Sequence, residues 1–107
     1  MELKQYSIVL VNLDPTIGSE IKKTRPCVIL SPNEINKFLK TIVAAPMTTN
    51  LKRYPTRVSV KHNNKNGMIA IDQVRSIDKT RILKRFDRLT KSEIANCKSI
   101  IKETYVD

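Results

Sequence analysis

Residues 12–32 read NLDPTIGSEIKKTRPCVILSP, and the rest of the chain is organised around this stretch. Two runs rich in branched apolar residues, 7–13 and 27–30, bracket a polar loop that carries Asp14, Gly18, Ser19, Glu20, Lys22, Lys23 and Arg25. Runs of this kind read as buried strands, and a loop anchored by two buried strands is a usual place for chemistry. Pro26 has no N–H and biases Arg25 toward extended backbone, so Arg25 is expected at the rim where the loop re-enters the sheet, a place to aim a cation. Gly18 is one of only two glycines. It marks a point of positive φ, a close approach to a ligand, or simply an ordinary hairpin loop.

Outward from this centre, Ser31-Pro32-Asn33-Glu34 has the form of a capping box with proline at the first helical position, which predicts a short helix through Lys40. Residues 41–45 make a third apolar strand. It ends in Pro46-Met47-Thr48-Thr49-Asn50, where hydroxyls can reach a phosphate or cap their own turn through local hydrogen bonds. Residues 56–61 alternate, with Val58 and Val60 against Arg57, Ser59 and Lys61, as a strand with one wet face does. Asn66-Gly67 supplies a hairpin signal, so His62 is expected in a loop, without a role, and 68–71 returns as an apolar strand closed by the polar residues 72–76. Residues 77–89 mix basic and apolar side chains without a clean period and carry no assignment. Thr90-Lys91-Ser92-Glu93 is a second capping box, opening a helix with Ile94, Cys97, Ile100, Ile101 and Thr104 on one face. Five or six short strands at close spacing, followed by a helix, predict an α+β fold built on a small, strongly curved, barrel-like sheet of mostly antiparallel strands.

A length of 107 residues corresponds to one domain, residues 1–107, with a modest core. Apolar residues at 40% and charged residues at 28% fit a globular chain. No apolar run approaches membrane-spanning length and the N-terminus lacks the apolar core of a signal peptide, so a cytoplasmic location away from membranes is expected. The formal charge is +10. Such a surface attracts nucleic acid, an anionic membrane or an acidic protein, and the excess is concentrated from Leu51 onward. Cys27 and Cys97 read as small buried hydrophobes, and the single His with no CxxC pair argues against a metal site. No cofactor is expected.

Four blocks in this order and spacing, NLDPTIGSE, KKTRPCVILSP, PMTTN and DQVRSID, resemble the MazF/PemK family of toxin–antitoxin endoribonucleases, over nearly the whole chain. The resemblance implies an SH3-like barrel with a C-terminal helix, a homodimer, metal-free and sequence-specific cleavage of single-stranded RNA, and an acidic antitoxin whose tail covers the active surface. It places the catalytic arginine at Arg25 and the catalytic threonine at Thr48. It sets Ser19, Glu20, Thr49 and Gln73 along the RNA groove, and Asp14, Gly18, Lys23, Asn50 and Asp72 are the further residues expected to contact substrate. Some relatives carry histidine where Ser19 stands and arginine where Ala70 stands; this chain has neither, which removes an obvious general base.

Metal-free RNA cleavage uses the 2′-OH of the substrate as nucleophile. It needs a proton acceptor, charge stabilisation at phosphorus, and help for the departing 5′-oxygen. Arg25 suits the second task, with a permanent charge and a rigid fork of donors. Thr48 can donate to the same phosphate. Glu20, ahead of Asp72, is the side chain that could accept the 2′-OH proton. Two other classes compete with this one. A barrel toxin that inhibits DNA gyrase by binding would lack the Arg25–Thr48 pair, and a plain RNA-binding barrel would stack bases on more aromatic residues than the 5% present.

Overall fold

The computed structural model describes residues 2–13 and 24–106; Asp14, Gly18, Ser19, Glu20 and Lys23 lie outside the described residues. The described residues form seven strands, β1 (Ser7–Asn12), β2 (Thr24–Ile29), β3 (Thr41–Thr48), β4 (Arg57–His62), β5 (Lys65–Ala70), β6 (Arg75–Asp78) and β7 (Ile82–Arg88), with helices α1 (Asn33–Phe38) and α2 (Lys91–Ile101). Six strands follow one path, β4-β5-β3-β2-β1-β7, and β6 joins the flank of β3. Every strand pairing among the described residues is antiparallel. The path curls until its ends meet, because the His62 ring at the end of β4 lies 4.7 Å from the Phe86 ring of β7. The result is the expected α+β fold, a strongly curled, barrel-like antiparallel sheet with a helix at its C-terminal end.

Successive residues of the central strands feed two apolar layers, as an extended backbone requires. One layer takes Ile8, Val28, Ala45 and Met47 and is closed by α2 through Cys97, with Ile94, Ile100 and Ile101 packed against it. The other takes Val9, Val11, Cys27, Ile29, Ile42, Ala44 and Ile77. β1 is therefore buried on both faces, as its unbroken apolar run predicts. Each Val or Ile so buried stabilises the fold by about 1.5–3 kcal/mol relative to exposure. Thr90 caps α2 in a complete capping box, its hydroxyl accepting from Glu93 N while the Glu93 carboxylate accepts from Thr90 N.

Two local expectations are corrected, and one unassigned stretch is resolved. Ser31 does not cap α1: the N-cap is Pro32, which has no side chain to offer, and the helix ends at Phe38 rather than Lys40. The Ser31 hydroxyl instead donates to Asn36 Oδ1 at 2.5 Å and accepts from Val43 N at 3.0 Å, tying α1 to β3 through two buried polar residues. The hairpin turns at Asn63-Asn64, both at positive φ, with His62 paired to Lys65, so Asn66-Gly67 belongs to β5 and His62 ends β4. Two adjacent asparagines satisfy the two left-handed positions of a tight hairpin turn as well as Asn-Gly does. Finally, residues 77–89 contain the end of β6, a 3-10 turn at Lys79–Arg81 and all of β7. Their period is hidden because β7 lies at one end of the strand path, where its exposed positions carry both basic and apolar side chains.

Candidate active site

The β2–β3 ladder ends at the pair Cys27 and Pro46. Neither Pro46 nor Pro26 has an N–H with which to extend it, so the strands part here. Arg25 on β2 and Thr48 on β3 each lie two residues beyond that last pair, on the face that Cys27 and Ala44 share. β2 begins at Thr24, so Arg25 stands inside a strand rather than on the loop before it, with its backbone paired to Val11. The fold thus brings two sequence-distant blocks to one rim, a guanidinium from the first and a hydroxyl from the second.

Arg25 is exposed, and its side chain makes no ion pair among the described residues. A second guanidinium arrives on the same face. Arg75 of β6 pairs with Ala44, two residues from Pro46, and is also exposed. Both cations act on Cys27: burial pushes its thiol up to about 12, against the downward pull of Arg75 and then of Arg25. Arg75 sits inside the DQVRSID block, and the sequence offers no signal that marks it for the site. Its position depends on β6 docking against β3, which no local pattern announces.

Thr48 is held in three ways. It pairs with Met68 of β5, its Oγ1 accepts a hydrogen bond from Asn50 N at 3.1 Å, and its carbonyl oxygen lies 3.0 Å from where a Cβ on Gly67 would stand. Only glycine lets β5 approach this closely. Asn50 Oδ1 in turn accepts from Lys52 N at 3.0 Å. The threonine cluster therefore caps its own turn, and because Thr48 Oγ1 accepts, its hydroxyl hydrogen is left to donate to a ligand. Thr49 and Asn50 follow it, both exposed.

Asp72 is already engaged. Its Oδ1 accepts from Thr56 Oγ1 and from Arg57 Nε, both at 2.9 Å, and Oδ2 lies 3.5 Å from a second Arg57 nitrogen. The hydrogen bond from Arg57 holds its carboxyl below the usual carboxylate range, so it is a weak proton acceptor. Gln73 is exposed on the short 3-10 turn Ile71–Gln73, two residues before Arg75. Arg25, Thr48, Thr49 and Asn50 are thus grouped at one rim, whereas Asp72 is tied into a structural pair. Among the described residues no group of three or more His, Cys, Asp or Glu could hold a metal ion, and no helix is long and apolar enough to cross a membrane.

Arg25, Arg75 and the Thr48 hydroxyl give this rim a positive, hydrogen-bond-donating character. The chain belongs to the family described as PemK-like, MazF-like toxin of type II toxin-antitoxin system, whose model matches residues 4–105. Endoribonuclease MazF of Staphylococcus epidermidis is 29% identical over 98 residues, covering 86% of this chain and 82% of the relative. Endoribonuclease toxin MazF of Escherichia coli K12 is 39% identical over 70 residues, covering 65% and 63%. In fold, MazF from Deinococcus radiodurans superposes with a TM-score of 0.82 at 23% identity, covering 100% of this chain and 99% of that one. A MazE–MazF structure from the same organism gives 0.84 at 24% identity, covering 96% and 95%.

Proposed function

We propose that this toxin is a metal-independent endoribonuclease that cuts single-stranded RNA at specific sequences, acting as a cytoplasmic homodimer restrained by an acidic antitoxin. The observation that supports the reading is the β2–β3 ladder, which stops at Cys27–Pro46 with Arg25 and Thr48 each two residues beyond that pair on one face. The two curated relatives named above as endoribonucleases support it, and the Deinococcus radiodurans MazE–MazF structure supports an antitoxin partner. A charge of +10 suits both RNA and an acidic tail that competes with it.

In this mechanism the 2′-oxygen loses its proton to a base and attacks the adjacent phosphorus. The bond from phosphorus to the 5′-oxygen breaks, and that oxygen takes up a proton, leaving a 2′,3′-cyclic phosphate and a 5′-OH. The Arg25 fork stabilises the charge that builds on the phosphoryl oxygens, and its high pKa makes it a clamp rather than a proton donor. Thr48 donates its hydroxyl hydrogen to the same group and fixes its orientation. Arg75, on the same face, adds positive potential. With Asp72 neutralised by Arg57, the proton acceptor is assigned to Glu20; Asp14, Gly18, Ser19, Lys23, Thr49, Asn50 and Gln73 are assigned to substrate contact.

The test is a pair of RNAs identical except for deoxyribose at the nucleotide 5′ to the mapped cut. Cleavage of the all-ribose strand should persist in excess EDTA and end in a cyclic phosphate. The deoxy strand should bind nearly as well and stay intact, since phosphate and base contacts remain. Cleavage of the deoxy strand at the normal rate rules the mechanism out.

A further inference from the structure

On the opposite side of the rim from Arg25 lies a cleft of about 300 Å³, a size at the low end of ligand sites and suited to one small planar group. Leu10, Pro26 and Met47 give it an apolar floor, Thr48, Thr49 and Lys65 edge it, and His62 and Phe86 wall it. The two rings meet edge to face, at 67° between their planes, so they brace each other. Beyond them a wider cleft of about 570 Å³ continues, carrying Lys61, Arg85 and Arg88 with one carboxylate, Asp87. His62, Asn63 and Phe86 line both spaces, so the two clefts adjoin and together make a path along the surface. Arg85 and Arg88 are anchored along it by donating to the backbone carbonyls of Glu2 at 2.6 Å and Gln5 at 3.3 Å, which leaves their other N–H groups for a ligand.

Resting on the RNA-cleaving reading above, we propose that this channel carries the RNA strand away from the cut site, seating one unstacked base against His62 and Phe86 and the following phosphates along Lys61, Arg85 and Arg88. The apolar floor and the two rings accept the face of a base, Thr48 and Lys65 at the cleft's edge can meet its flanking phosphate, and the asparagine amides of Asn63 and Asn66 can meet base edges. The stretch beyond carries three cations against one carboxylate and suits phosphates alone. Base pocket, then phosphate track, is the alternation of a single strand, and a duplex with stacked bases has nothing to insert. The backbone would cross the rim at Pro26 and Thr48, so the nucleotide clamped by Arg25 and the base in the cleft are neighbours along the strand.

The experiment measures fluorescence anisotropy with a short, labelled single-stranded RNA that spans the mapped cut site and carries one deoxyribose there, so that it binds without being cut. Abasic residues are placed in turn at each flanking position, against the wild type, His62→Ala and Phe86→Leu, the last because Phe86 also packs against the core. At one flanking position the abasic change should weaken wild-type binding by about 5- to 150-fold, the range for removal of a stacked base. In His62→Ala that penalty should largely vanish, because the pocket wall is already gone, and Phe86→Leu should reduce it too. Lys61→Ala should weaken all sequences alike and lower the salt dependence. Equal abasic penalties with and without His62, in protein that still cleaves RNA, overturn the channel. So does unchanged RNA affinity in His62→Ala and Lys61→Ala accompanied by weaker antitoxin binding, which assigns the surface to the protein partner. A coupled abasic penalty in a protein that cleaves no RNA would instead uphold the channel and overturn the proposed activity.

Discussion

Replacing Gly67 with alanine should displace Thr48 without altering it chemically. An ideal Cβ at position 67 stands 3.0 Å from the Thr48 carbonyl oxygen, whereas ordinary contact begins at 3.4 Å, so a shift of 0.4 Å must be found. The obstacle is backbone, not the end of a flexible side chain, and Thr48 is paired to Met68 next door, so the shift passes into the residue that holds the hydroxyl. If a misplacement of 1 Å costs about 100-fold in rate, a proportional share of that barrier predicts a loss of about sixfold in kcat. Stability should hardly move, because a mild overpacking cost of about 1 kcal/mol is offset by about 0.5–1 kcal/mol gained on restricting the unfolded chain. The assay is single-turnover cleavage of a saturating RNA by wild type, Gly67→Ala, Thr48→Ala and the double variant, with thermal melts alongside. Gly67→Ala should do nothing further once Thr48 has lost its hydroxyl. A sixfold loss that persists in the Thr48→Ala background would show that the alanine acts elsewhere, and an unchanged kcat would show that the position of Thr48 does not limit the rate.

Arg25→Ala should lose about 100- to 1000-fold in kcat, with Thr48→Ala at or below the lower end of that range, because a neutral hydroxyl contributes less than a cation. Arg25→Lys should recover little, since an ammonium cannot make the planar two-point contact, and full activity in Arg25→Ala would remove this residue from the mechanism. Asp72 has its carboxyl pKa depressed in the folded state by the Arg57 hydrogen bond, so its contribution is present above the unfolded carboxylate value of about 3.9 and is lost as pH falls through the lower folded value. Asp72→Asn should therefore melt below wild type at neutral pH, with the gap closing in acid; a gap that stays constant down to pH of about 3 contradicts this. Burial pushes both Cys27 and Cys97 thiols up to about 12, so native protein should resist thiol reagents at mildly alkaline pH and react once unfolded. Above about pH 8.5 the unfolded thiols ionise while the native ones do not, so stability should fall as pH rises from there; rapid labelling of the native state would show that these sites are open.

The sequence alone determined the class of fold, the strands at its centre and the residues to suspect. Unbroken apolar runs at 8–11 and 27–30 can only be buried on both faces, and a threonine followed three residues later by glutamate caps a helix by itself at Thr90. Those are local facts, encoded within a few residues. Local signals misled at Ser31 and at Asn66-Gly67 because tertiary partners outweighed them. Ser31 finds Asn36 and Val43, and Gly67 serves the close passage past Thr48 while two asparagines make the turn. Tertiary structure alone decided which side chains share the site. The β2–β3 ladder stops with Arg25 and Thr48 each two residues beyond its last pair, β6 docking on β3 brings in Arg75, Arg57 engages Asp72, and the curl of the sheet places His62 against Phe86. Each of these joins residues at least fifteen apart in the chain, and pairing over such distances depends on sheet register and curvature, which no local run of residues contains.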